Sequence, residues 1–577
     1  MGLMTSVRQK SKQFTIKGAL VKAKERRFVI VVTIFVLVVT SLPYVYGYIS
    51  APPDRQFMGL VYNVPDHAQY FTWYRDFQTN SLIPNRMTPE STVPLFFNLL
   101  WWVLARIGFY TGLSYIQVFL IFRLVAATAF LFMLYYFCSL FLYQIWERRI
   151  AFLMITFASG LGWILVVLKY TVMEGELLFP LDVYKAGTNT FLSMMAFPHF
   201  TIANALILIV FASILIGYER HQLRYALVAS TTAAILGWQH VYDLITIYGV
   251  LGIFFALETL RIRAIPWYLL KAGLILGLFS VWTPLYALYL TNFDPNWREV
   301  LGQFGNAGVF TADPFHLIIL LGLPLLVAVL TFDGFTPLTE RARPELFIKT
   351  WFLTSFILGY LPVGYQVHLT NLWQVPVGVL ATIGLCRRIT PYLTEVFSRW
   401  TRRFWSRDQA QRLVVIGFLM LASLTSVYLW LWRFVDLARH NYPYYLHKEE
   451  IAALDWLEAN AEPDDVVLSS LTIGQYVPVF TDAHAFLAHW AETLDFFGKS
   501  NMVEEFFAGE TDDARRQHIL RQYSVDYVFH GPPERELGDY DPATTPWLTL
   551  TFSVPQVDVY RVKDDRLPQV VGSGGTP

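Results

Sequence analysis

FVIVVTIFVLVVTSLPYVYGY, residues 28 to 48, contains no charged side chain. As a helix rising 1.5 Å per residue it would be about 30 Å long, the thickness of a bilayer's hydrocarbon core. The run is longer than a signal-peptide core and has no small-x-small cleavage site, so it reads as an uncleaved anchor. Before it come Arg8, Lys10, Lys12, Lys17, Lys22, Lys24, Arg26 and Arg27 against one acid, Glu25. An excess of Lys and Arg beside a span marks the cytoplasmic side, which puts the basic terminus, residues 1–27, in the cytoplasm.

The rest of the chain repeats the theme. Of its 577 residues 55% are hydrophobic, 17% aromatic and only 15% charged, where a soluble domain carries about 25% charge. Apolar runs of span length alternate with short charged segments, as in a multi-pass protein of the plasma (inner) membrane. Lys and Arg balance Asp and Glu at 44 each, and no nucleic-acid partner is expected. Cys138 and Cys386 fall in or beside apolar spans and offer neither a disulfide framework nor a cysteine metal site.

Further basic clusters lie at Arg148-Arg149, Arg220/Arg224, Arg261/Arg263/Lys271, Arg341/Arg343/Lys349 and from Arg387 to Arg412. If all are cytoplasmic, an even number of crossings separates neighbouring clusters. Three apolar stretches precede Arg148, so one of them does not cross. The stretch 93–110, with Asn98 and Arg106, is the shortest and is expected to lie along the surface or dip in. The remaining spans, near 28–48, 115–143, 150–170, 197–217, 225–239, 241–258, 268–290, 315–332, 346–362, 373–386 and 413–434, make eleven crossings. The expected fold is an α-helical polytopic domain over 28–434, with a first outer loop at 51–114. A small extracytoplasmic α/β domain over 435–577 follows, because helical spacing in HKEEIAALDWLEANA gives way to short buried-strand patterns in DDVVLSS, AFLAH, VDYVFHG and LTFSVPQVDVYRV. In that domain LAHWAET (His489, Trp490, Glu492, Thr493) reads as a strand end and its cap, with a ligand-contact loop as the alternative.

The first outer loop contains YNVPDHAQYFTWYRDF, residues 62–77. Pro65 suits the first turn of a helix, and Asp66 would sit where the helix dipole favours a carboxylate. Asp66, Tyr70, Trp73, Tyr74 and Phe77 share one face, which suits a helix at the membrane interface holding an acid at headgroup level. A helix cap with an interfacial aromatic belt explains the same spacing. Other polar residues stand near the outer ends of spans: Asp54, Arg75, Arg86, Glu90, His199, His240 with Asp243, and His368 with Asn371. Ionisable groups at membrane depth are costly and tend to line a cavity, although each alone reads equally as a cap or anchor. Arg123, deeper in its span, is expected to pair with an acid or a lipid phosphate.

An early acid in the first outer loop (Asp54, Asp66), a juxtamembrane apolar helix, Pro94-Leu95 and Arg123 ahead of the next span, many further spans and an outer terminal domain together resemble the GT-C superfamily of membrane glycosyltransferases. Most similar are bacterial users of polyprenyl-phosphate sugars of the protein-mannosyltransferase and aminoarabinose-transferase type. The paired acids frequent in that superfamily and a WWDYG motif are absent. The resemblance implies sugar transfer, with inversion, from a polyprenyl-phosphate donor to a glycan, lipid or protein acceptor on the extracytoplasmic side. It implies an acid of the first loop as base: Asp66 first, Asp54 second. Glu90, Arg75, Arg86, His199, His240, Asp243 and His368 are then candidates to bind substrate. A divalent ion, Mg or Mn, suits such a carboxylate-bearing site, but too few ligands are visible to assign one. A transporter or flippase of lipid-linked sugars would need inverted repeats, and none is visible. A non-catalytic membrane assembly protein would leave Asp66 replaceable.

Overall fold

A computed structural model describes residues 23–172, 186–307, 310–336, 343–401 and 406–563. The basic terminus up to Lys22, residues 173–185, Arg341 and the Gly/Ser-rich tail lie outside the described residues. The anchor is a helix, α1 (Ala23–Ser50). Among the described residues six helical segments are long and apolar enough to cross a membrane, or eight if each of two bent pairs counts as one span. The eleven expected crossings exceed this by three. The stretches near 225–239, 315–332 and 346–362 hold only Leu223–Gly237, His316–Phe332 and Arg343–Leu358. Helices packed inside a bundle can be short, because their ends meet protein instead of lipid. The stretch at 93–110 holds α3 (Leu99–Thr111), capped by the Asn98 side chain on the Trp101 amide. At about 20 Å it is too short to span. Its Arg106 donates to the carbonyls of Gln78, Thr79 and Asn80.

Arg123 lies buried in α4 (Tyr115–Phe141), and among the described residues it pairs with no acid. It donates to the hydroxyls of Thr40 (3.0 Å) and Ser41 (2.6 Å) and lies over the Tyr44 ring, pinning α4 to α1. Hydroxyls and a ring face hydrate a guanidinium in part without a second buried charge.

The loop after α1, residues 51–114, is bound to the terminal domain. Strand β1 (Arg55–Phe57) pairs antiparallel with β2 (Tyr445–His447), Arg55 opposite His447 and Phe57 opposite Tyr445. Between them in sequence runs α2 (Val64–Phe77), with Pro65 in its first turn as expected. The rings of α2 do not form an interfacial belt. Tyr74 and Phe77 are buried, Tyr70 stacks on Trp101 of α3 at 4.9 Å, and Trp73 packs on Phe96. Their area is removed from water by protein, in one core shared with the terminal domain.

That domain has a five-stranded sheet in the order β4-β3-β5-β7-β6: β3 (Val466–Leu468), β4 (His484–Ala485), β5 (Val525–His530), β6 (Leu548–Val554) and β7 (Val557–Val562). The first three are parallel and the last two form an antiparallel hairpin on β5. The chain leaves β4 as the loop 486–495, which turns toward α2.

Candidate active site

Asp66 stands in the first turn of α2, and its side chain keeps 23% exposure. Asn63, in the left-handed conformation just before the helix, donates its amide to Asp66 Oδ2 at 2.6 Å. The other two donors come from the loop after β4. His489 Nε2 and the Trp490 indole N–H each lie 3.2 Å from Asp66 Oδ1. The Ala491 amide donates to His489 Nδ1, so the ring proton sits on Nε2 and points at the carboxylate. Burial pushes the Asp66 pKa up, but the His489 hydrogen bond and nearby His489 and His67, with Trp490, outweigh it. The net shift is downward, and Asp66 is an anion at neutral pH.

A second carboxyl stands close by and behaves oppositely. Glu492, 8% exposed, accepts from Gln69 of α2, three residues beyond Asp66. Burial, opposed by His489 and Gln69, lifts its pKa to about 7. The Tyr70 hydroxyl is held well above its ordinary range by burial and then by the charges of Asp66 and Glu492. Two acids with pKa values driven apart by their surroundings are the arrangement in which one is anionic and the other exchanges a proton near neutrality.

The loop is held on every side. Gln303 donates to the carbonyls of Ala491 and Thr493, Asn306 to that of Trp490, and Asn85 to that of Glu492. The Thr493 hydroxyl donates to Met87 O. LAHWAET is therefore more than a strand end. Its His-Trp-x-Glu content was the only sequence signal of this role.

From Tyr70 a line of rings leads into the bundle. His199, at the start of α5 (Pro198–Arg220), meets Tyr70 at 4.6 Å, His67 at 6.4 Å and His240 at 5.5 Å. His240 Nδ1 lies 3.3 Å from Asp243, the first residue of α6 (Asp243–Ile262), and Asn371 donates to the other Asp243 oxygen. His368 is reached through Tyr242 at 4.9 Å and Phe200 at 6.1 Å. Among the described residues both ring nitrogens of His199 are buried without a hydrogen-bond partner, a costly arrangement for polar atoms.

Other expected site residues are drawn elsewhere. Arg75 binds Glu458 (2.6 Å) and Asp482 (2.9 Å). Arg86 binds Asp76 (3.0 Å) and the carbonyls of Pro463 and Asp482. Glu90 binds Lys499 (2.6 Å). These three fasten the first loop to the α/β domain. Asp54 is 60% exposed beside the β1–β2 ribbon, 3.9 Å from Arg55 and 3.8 Å from His447. A Mg or Mn ion finds no ligand set here. Among the described residues no three His, Cys, Asp or Glu converge as metal ligands.

No protein-family model and no curated protein matches the sequence. Solved structures match the fold. The oligosaccharyltransferase of Archaeoglobus fulgidus in its apo form aligns with a TM-score of 0.53 at 12% identity, covering 95% of this chain and 76% of that one. Its complex with an inhibitory peptide and a dolichol-phosphate gives 0.52 at 12%, covering 95% and 75%. An arabinofuranosyltransferase from Mycobacteria gives 0.54 at 13%, covering 93% of this chain and 40% of that one. These are solved structures of glycosyltransferases, and this chain shares their fold.

Proposed function

We propose that this chain is a membrane glycosyltransferase that moves a sugar from a polyprenyl-phosphate donor to an acceptor hydroxyl, inverting the anomeric carbon, with Asp66 as base. The observation that carries the reading is an ionised, partly exposed carboxylate, held by three N–H donors, at the head of α2 in a GT-C fold. The solved relative that holds a dolichol-phosphate supports a lipid-linked donor.

In this reading the acceptor oxygen attacks the anomeric carbon from the face opposite the phosphate. Its proton passes to Asp66 as the carbon–oxygen bond to the phosphate breaks, and polyprenyl phosphate leaves with the bonding pair. Charge grows on the leaving phosphate and needs donors. His199, whose ring nitrogens have no partner among the described residues, and His240, backed by Asp243, are suited to supply them. Asp54 is the weaker candidate for base, being solvent-exposed at the ribbon. Asp243 and His368 act by positioning His240 and its neighbours.

The test is sugar transfer in membranes from a radiolabelled polyprenyl-phosphate sugar, wild type against Asp66→Asn. Loss of roughly a hundredfold or more in rate is expected, the range of general base catalysis. An unchanged rate removes Asp66 from the chemistry, and a wild type that transfers from no donor in a panel of polyprenyl-phosphate pentoses and hexoses overturns the reading.

A further inference from the structure

A second concave site lies apart from Asp66, where α1 and α4 end beside the α/β domain. It has a volume of about 420 Å³ and is lined by Tyr48, Arg55, Ser114, Ile116, Gln117 and Lys448 among others, with two cations and no acid in the lining. Lys448 is exposed, and its ammonium has no hydrogen bond or ion pair among the described residues. Arg55 donates to the His440 carbonyl and has a long 3.9 Å contact with the exposed Asp54. One end of the groove is thus cationic and wet.

The other end is apolar. Below it on α1 run the exposed Val38, Val45, Tyr48 and Ile49, the last at 80%. On α4 Gln117 is followed at helical spacing by the exposed Ile121 and Leu124, with Val125 beside them. Arg123 joins the two helices through Thr40 and Ser41, and each helix carries its own exposed apolar stripe. Both helices have span length, which sets Arg55 and Lys448 at headgroup level, just beyond Ser50 and Ser114. A soluble anion has no use for such stripes. A phosphodiester with two acyl chains matches both ends.

We propose that this groove binds an anionic phospholipid, its headgroup phosphate between Arg55 and Lys448 and its chains along the exposed apolar faces of α1 and α4. The site is separate from the sugar-transfer site and does not depend on that function. It would hold the β1–β2 ribbon, and with it the α/β domain, at a set height on the bilayer.

Native mass spectrometry of the full-length protein, delipidated and titrated with phosphatidylglycerol or phosphatidylcholine of matched chains, tests this. The wild type is expected to retain phosphatidylglycerol preferentially. Lys448→Glu, which breaks no side-chain hydrogen bond or ion pair among the described residues, should lose at least about fivefold of that preference, the worth of one surface cation. Arg55→Lys should keep most of it. Equal retention of both lipids, an unchanged preference in Lys448→Glu, or displacement of phosphatidylglycerol by polyprenyl phosphate at equal concentration overturns the assignment.

Discussion

His489 Nε2 lies 3.2 Å from Asp66 Oδ1, although 423 residues separate them in the chain. The α/β domain therefore contributes to the electrostatics of the acid that the membrane domain presents. If Asp66 is the base, His489 is a positioning residue that keeps it ionised. Replacing His489 by Ala removes a donor that lowers the Asp66 pKa. The acidic limb of the pH–rate profile should then move to higher pH, with kcat reduced roughly tenfold or more. His489→Gln, which can still donate, should restore the limb toward its original place. A purely structural His489 would lower the amount of folded protein without moving the profile.

Glu492 sets a pH dependence of stability. Its folded pKa, about 7, lies above the ordinary 4.5 because burial disfavours the charge. A raised pKa means the favourable state is the protonated one. The contribution is complete below pH 4.5 and is lost as pH rises through 7, amounting to about 3 kcal/mol for a shift of this size. Glu492→Gln keeps a neutral amide near Gln69 and should flatten this loss. Thermal unfolding of both proteins in detergent from pH 4.5 to 8.5 checks it, with the variant gaining on the wild type toward the alkaline end.

Arg86→Ala should be among the more damaging substitutions in the first loop. Asp76 is 3% exposed, and Arg86 is its salt-bridge partner at 3.0 Å. Removing the guanidinium leaves a buried carboxylate unpaired, at a cost of about 3–5 kcal/mol. It also cuts the bonds to the Pro463 and Asp482 carbonyls that join the loop to the α/β domain. The double variant Asp76→Asn, Arg86→Ala should unfold at a higher temperature than Arg86→Ala alone. The reverse order would show that the unpaired Asp76 charge is not what the substitution costs.

His199→Phe separates packing from function. The ring is buried among Tyr70, Phe200 and His240, and among the described residues neither of its nitrogens is paired. Phenylalanine fills nearly the same volume without unpaired polar atoms, so the melting temperature should hold or rise. Transfer should fall at least about tenfold if the nitrogens meet the leaving phosphate. Unimpaired transfer would make His199 a packing residue.

Much of the architecture was legible locally. Span length, Pro65 at a helix start, Asp66 in the first turn and the strand patterns of the terminal domain were each readable within a short window. The partners of the charges were not. Arg75, Arg86 and Glu90 resemble site residues in sequence, yet they bind Glu458, Asp482, Asp76 and Lys499 instead. Among the described residues Arg123 pairs with two hydroxyls and no acid. The aromatic face of α2 became core because α3 and the α/β domain cover it.

The sequence by itself determined a bundle of apolar helices, an acid at the head of the first-loop helix, and a terminal layer of strands and helices. Those follow from the free energy of moving side chains out of water and from hydrogen bonds between near neighbours along the chain. Only the tertiary structure decided that His489, Trp490 and Glu492 gather at α2, and which of the two carboxyls holds its charge. A carboxyl group's pKa depends on what lies within a few ångströms, and the packing of distant segments sets that, not the pattern of residues beside it.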